Sequence, residues 1–165
     1  MLPVTTVATE TPRVRAAGAG DQAAVETLLT AQSLPTAGVP EMFAADPTQF
    51  LVAVRGDDVI AVAGVEECGE HALLRSVAVC TDWQGRGLGH QLVERAMAHA
   101  ESRGITALYL LTMTAEHYFP RFGFTRVERE AVPSTVVATV EFTSACPASA
   151  VTMRKTLSPS ALPSS

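Results

Sequence analysis

A glycine-rich turn between an apolar strand and an amphipathic helix constrains the fold more than any other part of this chain. The run ALLRSVAV, residues 72–79, predicts a buried strand, and Gly85, Gly87 and Gly89 follow it. From Leu88 onward, apolar residues recur four positions apart, which keeps them on one face of a helix. Because the first N–H groups of a helix have no partners within it, and glycine lets the backbone approach a ligand closely, this order predicts a binding site for a phosphate group.

Two common phosphate-binding patterns do not fit this turn. The dinucleotide fingerprint needs a third glycine where the chain has His90, and an acid at the end of a second strand; Glu101, the acid nearest the required distance, lies within the helix. A Walker loop needs Gly-Lys-Ser/Thr before its helix, and the sequence has no such triplet there. The pattern that remains is Gln84-x-x-Gly87-x-Gly89.

This pattern resembles the pyrophosphate loop of the GNAT superfamily of acetyl-CoA-dependent N-acetyltransferases, in which Q/R-x-x-G-x-G/A follows a strand that ends in a short apolar run, here VAV at 77–79. The segment AEHYFPRFGF, residues 115–124, is similar to the short helix of that family that closes with Gly-Phe. ITALYLLT, residues 105–112, supplies the strand expected between them. The ordered set covers about a third of the chain.

The resemblance implies an α/β (α+β) fold. Its mixed, mostly antiparallel central sheet would have six or seven strands, with about four helices on both faces, and would splay between strands 4 and 5. Acetyl-CoA would lie in that gap. The hydrophobic periodicity agrees with this fold. It predicts strands at 12–17, 50–55, 59–67, 71–79, 105–112, 125–130 and 151–157, helices from Asp21 and from Leu88 to Gly104, and a loop at 33–40.

Length and composition limit the function further. The length of 165 residues favours a single domain at 12–157, between disordered ends at 1–11 and 158–165. The net charge is −5, and no basic patch suggests a nucleic-acid surface. No apolar run approaches the length of a membrane span, and the first residues lack the charged start and long apolar stretch of a secretory signal. Three cysteines without metal spacing predict a cytoplasmic protein that holds no metal. An edge strand near the C-terminus offers a surface for a homodimer.

The cofactor site follows from the resemblance. The backbone of the strand before the turn would pair with the pantetheine amides, and one of its N–H groups would stabilise the oxyanion of the tetrahedral intermediate. The amides of the turn would hold the pyrophosphate. The implied cofactor-binding residues are Val77, Ala78, Val79, Gln84, Gly85, Arg86, Gly87, Leu88, Gly89, Thr112 and Phe119.

The general acid of the family is a tyrosine four residues before the glycine of Gly-Phe, and this chain has Phe119 there. Tyr118 is the neighbouring residue, but one helical step rotates a side chain by about 100°. Tyr118 is therefore the candidate acid if the short helix is distorted, which Pro120 favours. The alternative is that Tyr118 only packs.

A general base is less obvious. Some family members carry a glutamate early in the strand before the turn, where this chain has Leu73. Glu66 and Glu67 end the preceding strand and point to opposite faces, and Glu66 is our candidate base, acting through water. Glu116 and His117 are the alternatives, and a solvated strand end is the simpler interpretation of Glu66.

Arg75 interrupts an otherwise apolar strand, which is costly for a charge without a partner. It binds either an internal carboxylate or the carboxylate of a substrate, since a guanidinium matches that shape with two hydrogen bonds. Ser76 beside it is a candidate for placing the acceptor. We therefore predict a small-molecule acceptor that carries an amine and a carboxylate. At neutral pH an α-amine of pKa ~8 is easier to deprotonate than a lysine amine of pKa ~10.4, by roughly 3 kcal/mol.

A narrower resemblance concerns the acceptor. The segments 73–79, 109–119 and 141–153 are similar to the N-acetyltransferases found with bacterial arsenic-resistance genes, and C-P-x-S-A at 146–150 is the most distinctive piece. LLTMTAEHYF is also similar to the acetyltransferase domain of amino-acid N-acetyltransferases that act on glutamate. These likenesses imply an arsenic-resistance setting or general amino-acid acetylation. Two other classes remain: a regulator that binds acetyl-CoA without catalysis, and a dinucleotide oxidoreductase, which predicts affinity for NAD.

Overall fold

The computed structural model describes residues 11–113, 115–139 and 150–158. The predicted disordered ends lie outside these residues, apart from Thr11 and Ser158, and so does most of the segment 146–150. The strands are β1 (Arg13–Ala16), β2 (Phe50–Arg55), β3 (Asp58–Cys68), β4 (His71–Val79), β5 (Ala107–Thr112), β6 (Thr125–Arg126) and β7 (Val151–Thr156). The α-helices are α1 (Gln22–Ala31), α2 (Val39–Ala45), α3 (Leu88–Ser102) and α4 (Ser134–Val137).

The seven strands form one sheet in the order β1-β2-β3-β4-β5-β7-β6. The pairs are antiparallel except for β4 and β5, which run parallel and are connected through α3. The parallel ladder is short, because it ends at the pair Leu73 and Tyr109 while both strands continue. This confirms the predicted mixed sheet that splays between its fourth and fifth strands.

Apolar side chains cover both faces of the sheet. On one face, α3 packs Leu92, Val93 and Ala96 against the alternating apolar residues of β3, β4 and β5. On the other face, α1 and α2 pack against residues of β2 and β3 such as Val52 and Val62. Strands β2 and β5 read as continuous apolar runs because they are buried on both sides.

Three segments differ from the sequence prediction. The predicted loop at 33–40 ends early, because α2 begins at Val39 with Pro40 in its first turn, where the missing proline N–H is not needed. The strand predicted at 125–130 is only Thr125–Arg126, and a 3₁₀ turn at Arg129–Ala131 follows it. The short helix predicted at 115–124 is a turn that leads into a single 3₁₀ turn, Phe119–Phe122.

Of the helices in residues 11–113, 115–139 and 150–158, none has the length and apolar character that would carry it across a bilayer.

Candidate active site

The gap between β4 and β5 holds a cavity. Beyond Leu73 and Tyr109 the two strands no longer hydrogen-bond to each other. A cavity of about 680 Å³ opens between them and extends to the first turn of α3. Of the residues predicted to bind cofactor or substrate, those lining it are Arg75, Ser76, Val77, Ala78, Val79, Gln84, Gly89, Thr112 and Phe119.

A β-bulge shapes the β4 side of the cavity. Val62 pairs with Ala78 and Gly64 pairs with Arg75, so β4 contains one more residue than β3 across this interval. Ser76 absorbs the irregularity with a φ of 59°, in the left-handed region that side chains rarely occupy. The bulge therefore interrupts the ladder next to Val77–Val79, the residues whose backbone N–H groups are predicted to stabilise the oxyanion.

Arg75 is held within the protein. Its side chain is 0% exposed, and Nη1 donates to Glu66 Oε1 at 3.1 Å. Nη2 donates to the Ala37 carbonyl in the loop before α2, and Nε donates to Ser76 Oγ at 3.2 Å. Of the two alternatives for Arg75, the structure contains the internal carboxylate. Arg75 also joins β3, the bulge and the loop before α2.

We expect Arg75→Met to lower the free energy of unfolding by about 2 kcal/mol. The loss is below the value typical of a fully buried pair, because Glu66 is 21% exposed and stays partly hydrated after its partner is removed. Urea unfolding measures the change. Glu66→Gln keeps an acceptor for Arg75 and serves as the matched variant. An Arg75→Met protein as stable as the wild type would contradict the structural importance of this pair.

The first turn of α3 presents unused N–H groups. Gly87 is the N-cap with a φ of 82°, and the first bond within the helix runs from the Gln91 N–H to the Gly87 carbonyl. No acidic residue lies in this turn, and no side chain caps it among the described residues. A Cβ on Gly89 would lie 3.4 Å from Val79 Cγ2, so glycine keeps β4 and the helix start close together. This turn has the donors and the local dipole that suit an anion.

The loop before α3 is fixed by side-chain contacts. Gln84 Nε2 donates to the Val79 carbonyl at 2.9 Å, and the Arg86 guanidinium stacks on the Trp83 ring at 4.6 Å from its centroid. Gly85 has a φ of 79°. Leu88 is buried in the core, so only its backbone remains for a ligand. The predicted residues 85–88 do not line the cavity themselves, but they connect Gln84 and Gly89, which do.

The segment that follows β5 forms one wall of the cavity. Tyr118 and Phe119 both line the cavity, because the chain here turns and enters a 3₁₀ turn instead of a regular helix. The Tyr118 hydroxyl would lie 3.8 Å from a Cβ placed on Gly89. Burial raises the pKa of Tyr118, an effect that the Arg121 guanidinium partly offsets. Thr112 Oγ1 accepts a hydrogen bond from the Ala115 N–H and fixes the turn after β5.

The candidate bases lie away from this wall. Glu66, Glu116 and His117 are not among the residues that line the cavity. Glu116 forms a long ion pair with Arg126, at 3.7 Å. Within the part of the chain that the structure describes, no three metal-ligating side chains cluster. Burial raises the pKa of the Cys68 thiol to about 11, so it stays protonated at neutral pH.

Several cavity residues carry no signal in the sequence. Gln32, Ser33, Leu34 and Pro35, which follow α1, line the cavity. They belong to a turn with no recognisable sequence motif, and only the fold brings them to the cavity. Met113 also lines the cavity and is 56% exposed.

The model of the acetyltransferase (GNAT) family matches residues 22–124, which include the loop, α3, β5 and the Gly-Phe turn. The chain belongs to this family. A curated relative, the amino-acid acetyltransferase of Escherichia coli K12, is 33% identical over 92 residues, which are 53% of this chain and 20% of the relative. The chain thus spans about a fifth of the length of the curated relatives that it matches first.

Solved structures agree with the family fold. Rv2747 from Mycobacterium tuberculosis, solved in complex with CoA, superposes with a TM-score of 0.74 at 23% identity and covers 88% of this chain and 99% of its own. The N-acetylglutamate synthase of Neisseria gonorrhoeae, complexed with coenzyme A and N-acetyl-glutamate, gives a TM-score of 0.75 at 18% identity over 89% of this chain and 35% of its own. At these identities the likeness shows the fold alone.

Proposed function

We propose that this GNAT-family chain is an acetyl-CoA-dependent N-acetyltransferase that acts on the α-amine of a small, amino-acid-like acceptor. The observation that carries the proposal is the cavity in the β4–β5 gap, which runs from the bulge at Ser76 to the first turn of α3. Family membership and the CoA contained in structures with the same fold support it.

In this proposal the pantetheine arm lies along Val77, Ala78 and Val79, between β4 and the residues Thr112 and Phe119. The diphosphate accepts hydrogen bonds from the backbone between Gln84 and Gly89. Arg86 adds a positive charge to this loop. The thioester carbonyl then lies near the bulge, where a backbone N–H stabilises the oxyanion. No metal is required, because the acetyl group is already activated as a thioester.

We propose that the acceptor binds in the same cavity, beside the bulge of β4. Arg75 and Ser76 line the cavity there. Because the Arg75 guanidinium is held by Glu66 and the Ala37 carbonyl, it attracts the acceptor carboxylate as a nearby positive charge, while the Ser76 hydroxyl donates a hydrogen bond to that carboxylate. Glu66, already bound to Arg75, accepts the proton of the ammonium through water. An α-amine suits this site because it releases a proton more readily than a lysine side chain. Tyr118 protonates the departing thiolate.

Tyr118→Phe is expected to lower kcat by about a hundred-fold, the usual size of a general-acid contribution, with little change in KM for acetyl-CoA. The protonated phenol is the active form and its pKa is raised, so wild-type kcat should fall only as the pH rises above the normal pKa of tyrosine. In the variant this alkaline decrease should disappear. The pH dependence of kcat measures both effects. If the pH dependence of kcat is the same in Tyr118→Phe as in the wild type, Tyr118 has only a packing role.

The experiment that tests the function is release of free CoA thiol from acetyl-CoA in the presence of a panel of amino acids and amines. We expect turnover with one or more α-amino acids and none with lysine side-chain analogues. Saturable CoA binding without any thiol release would favour the regulator. Protection of the fold from heat by NAD and not by CoA would favour the oxidoreductase.

The amino-acid acetyltransferase relatives favour ordinary amino-acid acetylation. The resemblance to the arsenic-associated group supports a second acceptor, a toxic amino-acid analogue such as an arsenic- or phosphorus-containing mimic of glutamate. Both acceptors carry the amine and carboxylate that the site requires, and both fit a cytoplasmic enzyme. The panel should include glutamate and such a mimic in parallel, since the larger kcat/KM decides between them.

A further inference from the structure

The turn after α1 lines the cavity and is held by two backbone hydrogen bonds. The Ser33 N–H donates to the Thr30 carbonyl and the Leu34 N–H donates to the Leu29 carbonyl, at 3.0 and 2.9 Å. These two bonds, with Ser33 at a φ of 60°, form a Schellman motif that ends the helix. Leu34 packs against the core cluster that contains Leu29. The motif fixes the direction of the C-cap residue Gln32, whose side chain extends to the loop that precedes α3.

The side chain of Gln32 bonds to the loop that we assign to the cofactor. Its Oε1 accepts from Gln84 Nε2 at 2.9 Å, and its Nε2 contacts Thr81 Oγ1 at 3.4 Å. The same Gln84 Nε2 donates to the Val79 carbonyl at the end of β4. Gln32, Val79 and Gln84 all line the cavity. The hydrogen bond between these two side-chain amides therefore connects the cavity residues that follow α1 to the loop that precedes α3.

We infer that Gln32 is a positioning residue. Its bond to Gln84 couples the ordering of residues 33–35 to the binding of a diphosphate at the loop 84–89. This inference rests on the proposed function. A bound diphosphate restricts the motion of the loop and of Gln84. Less conformational entropy is then lost when Gln84 bonds to Gln32, so this bond forms more often and the turn after α1 opens less often. Residues 33–35 are therefore ordered for contact with the acceptor only after acetyl-CoA has bound. Coupling of this kind is reciprocal, so an acceptor that orders residues 33–35 also strengthens CoA binding.

Hydrogen exchange of the wild-type protein with and without CoA tests the inference. CoA should slow exchange across residues 84–89 and also slow exchange at Leu34, whose N–H is bonded within the Schellman motif. We expect the second effect to be about five-fold, as for one hydrogen bond. In Gln32→Leu the effect at Leu34 should vanish while protection of 84–89 persists. Gln32→Glu keeps an oxygen that accepts from Gln84 and should retain the coupling.

Gln22→Leu is the matched control, because the Gln22 amide bonds to Glu26 within α1 and, among the described residues, has no hydrogen bond to the cavity or to the loop 84–89. It should behave as the wild type. Protection at Leu34 that persists in Gln32→Leu, or that is absent in the wild type while 84–89 is protected, would overturn the inference. Absence of CoA protection at 84–89 in the wild type would instead count against the proposed function. Thermal melting of each variant verifies that the compared proteins are folded.

Discussion

Replacement of Gly87 by glutamate should abolish CoA binding while the domain stays folded. Gly87 is the N-cap of α3 with a φ of 82°, and a Cβ at this position would meet no other atom within 4 Å. The new side chain would therefore fit, but in a strained backbone conformation, and its carboxylate would face the anion that the helix start attracts. We expect CoA affinity to fall roughly a hundred-fold or more, which corresponds to at least about 2.8 kcal/mol.

Gly104→Glu is the matched control for this prediction. Gly104 also has a φ of 82° with open space around it, and it follows the other end of α3, roughly 25 Å away. This variant carries the same charge and the same backbone strain but should bind CoA as the wild type does. Gly87→Ala keeps the strain without the charge and should lie between the two. Isothermal titration with CoA measures all three, and an unchanged affinity in Gly87→Glu would contradict the assignment of the loop.

Phe119→Ala should reduce stability far more than it reduces kcat. Phe119 is 8% exposed and belongs to the main core cluster, with its ring edge-on to Phe124 and Tyr118. Its removal should cost about 3 kcal/mol in the free energy of unfolding, toward the lower end for a buried phenylalanine, because one side already faces the cavity. The ring carries no proton to donate, so the chemical step should slow by less than ten-fold.

Denaturant unfolding and steady-state kinetics on the same preparations measure the two effects. Phe119→Leu keeps most of the volume and should recover most of the stability. A well-folded Phe119→Ala protein with a large loss of kcat would contradict a packing role and would place the ring in contact with the reacting groups. Tyr118→Phe, which leaves the packing almost unchanged, is the complementary variant.

The sequence predicts the parts of this fold that depend on local signals. Strand β4 at residues 71–79 and strand β2 at 50–55 have the predicted bounds, because polar and glycine-containing turn segments flank their mainly apolar runs. Between β2 and β3 the chain turns at Gly56, a residue type that favours turns and that has a φ of 63° here. Helix α3 ends at Ser102, two residues before Gly104, as a glycine C-cap requires.

The sequence predicts less where the outcome depends on distant residues. Nothing in the sequence marks Ser76 for a positive φ, since the bulge arises from pairing with β3, where Gly64 allows close approach to Phe50. The partner of Arg75 remained open because Glu66 lies on another strand and Ala37 offers only a backbone carbonyl. Gln32 carries no motif, and its contact with Gln84 spans 52 positions.

A crystal structure of the protein with CoA would show whether the backbone before α3 binds the diphosphate. We expect diphosphate oxygens about 3 Å from backbone nitrogens between Gln84 and Gly89, with the pantetheine arm in the gap beside Val77 and Val79. Diphosphate bound elsewhere, or the first-turn amides of α3 turned away from a bound CoA, would contradict this expectation.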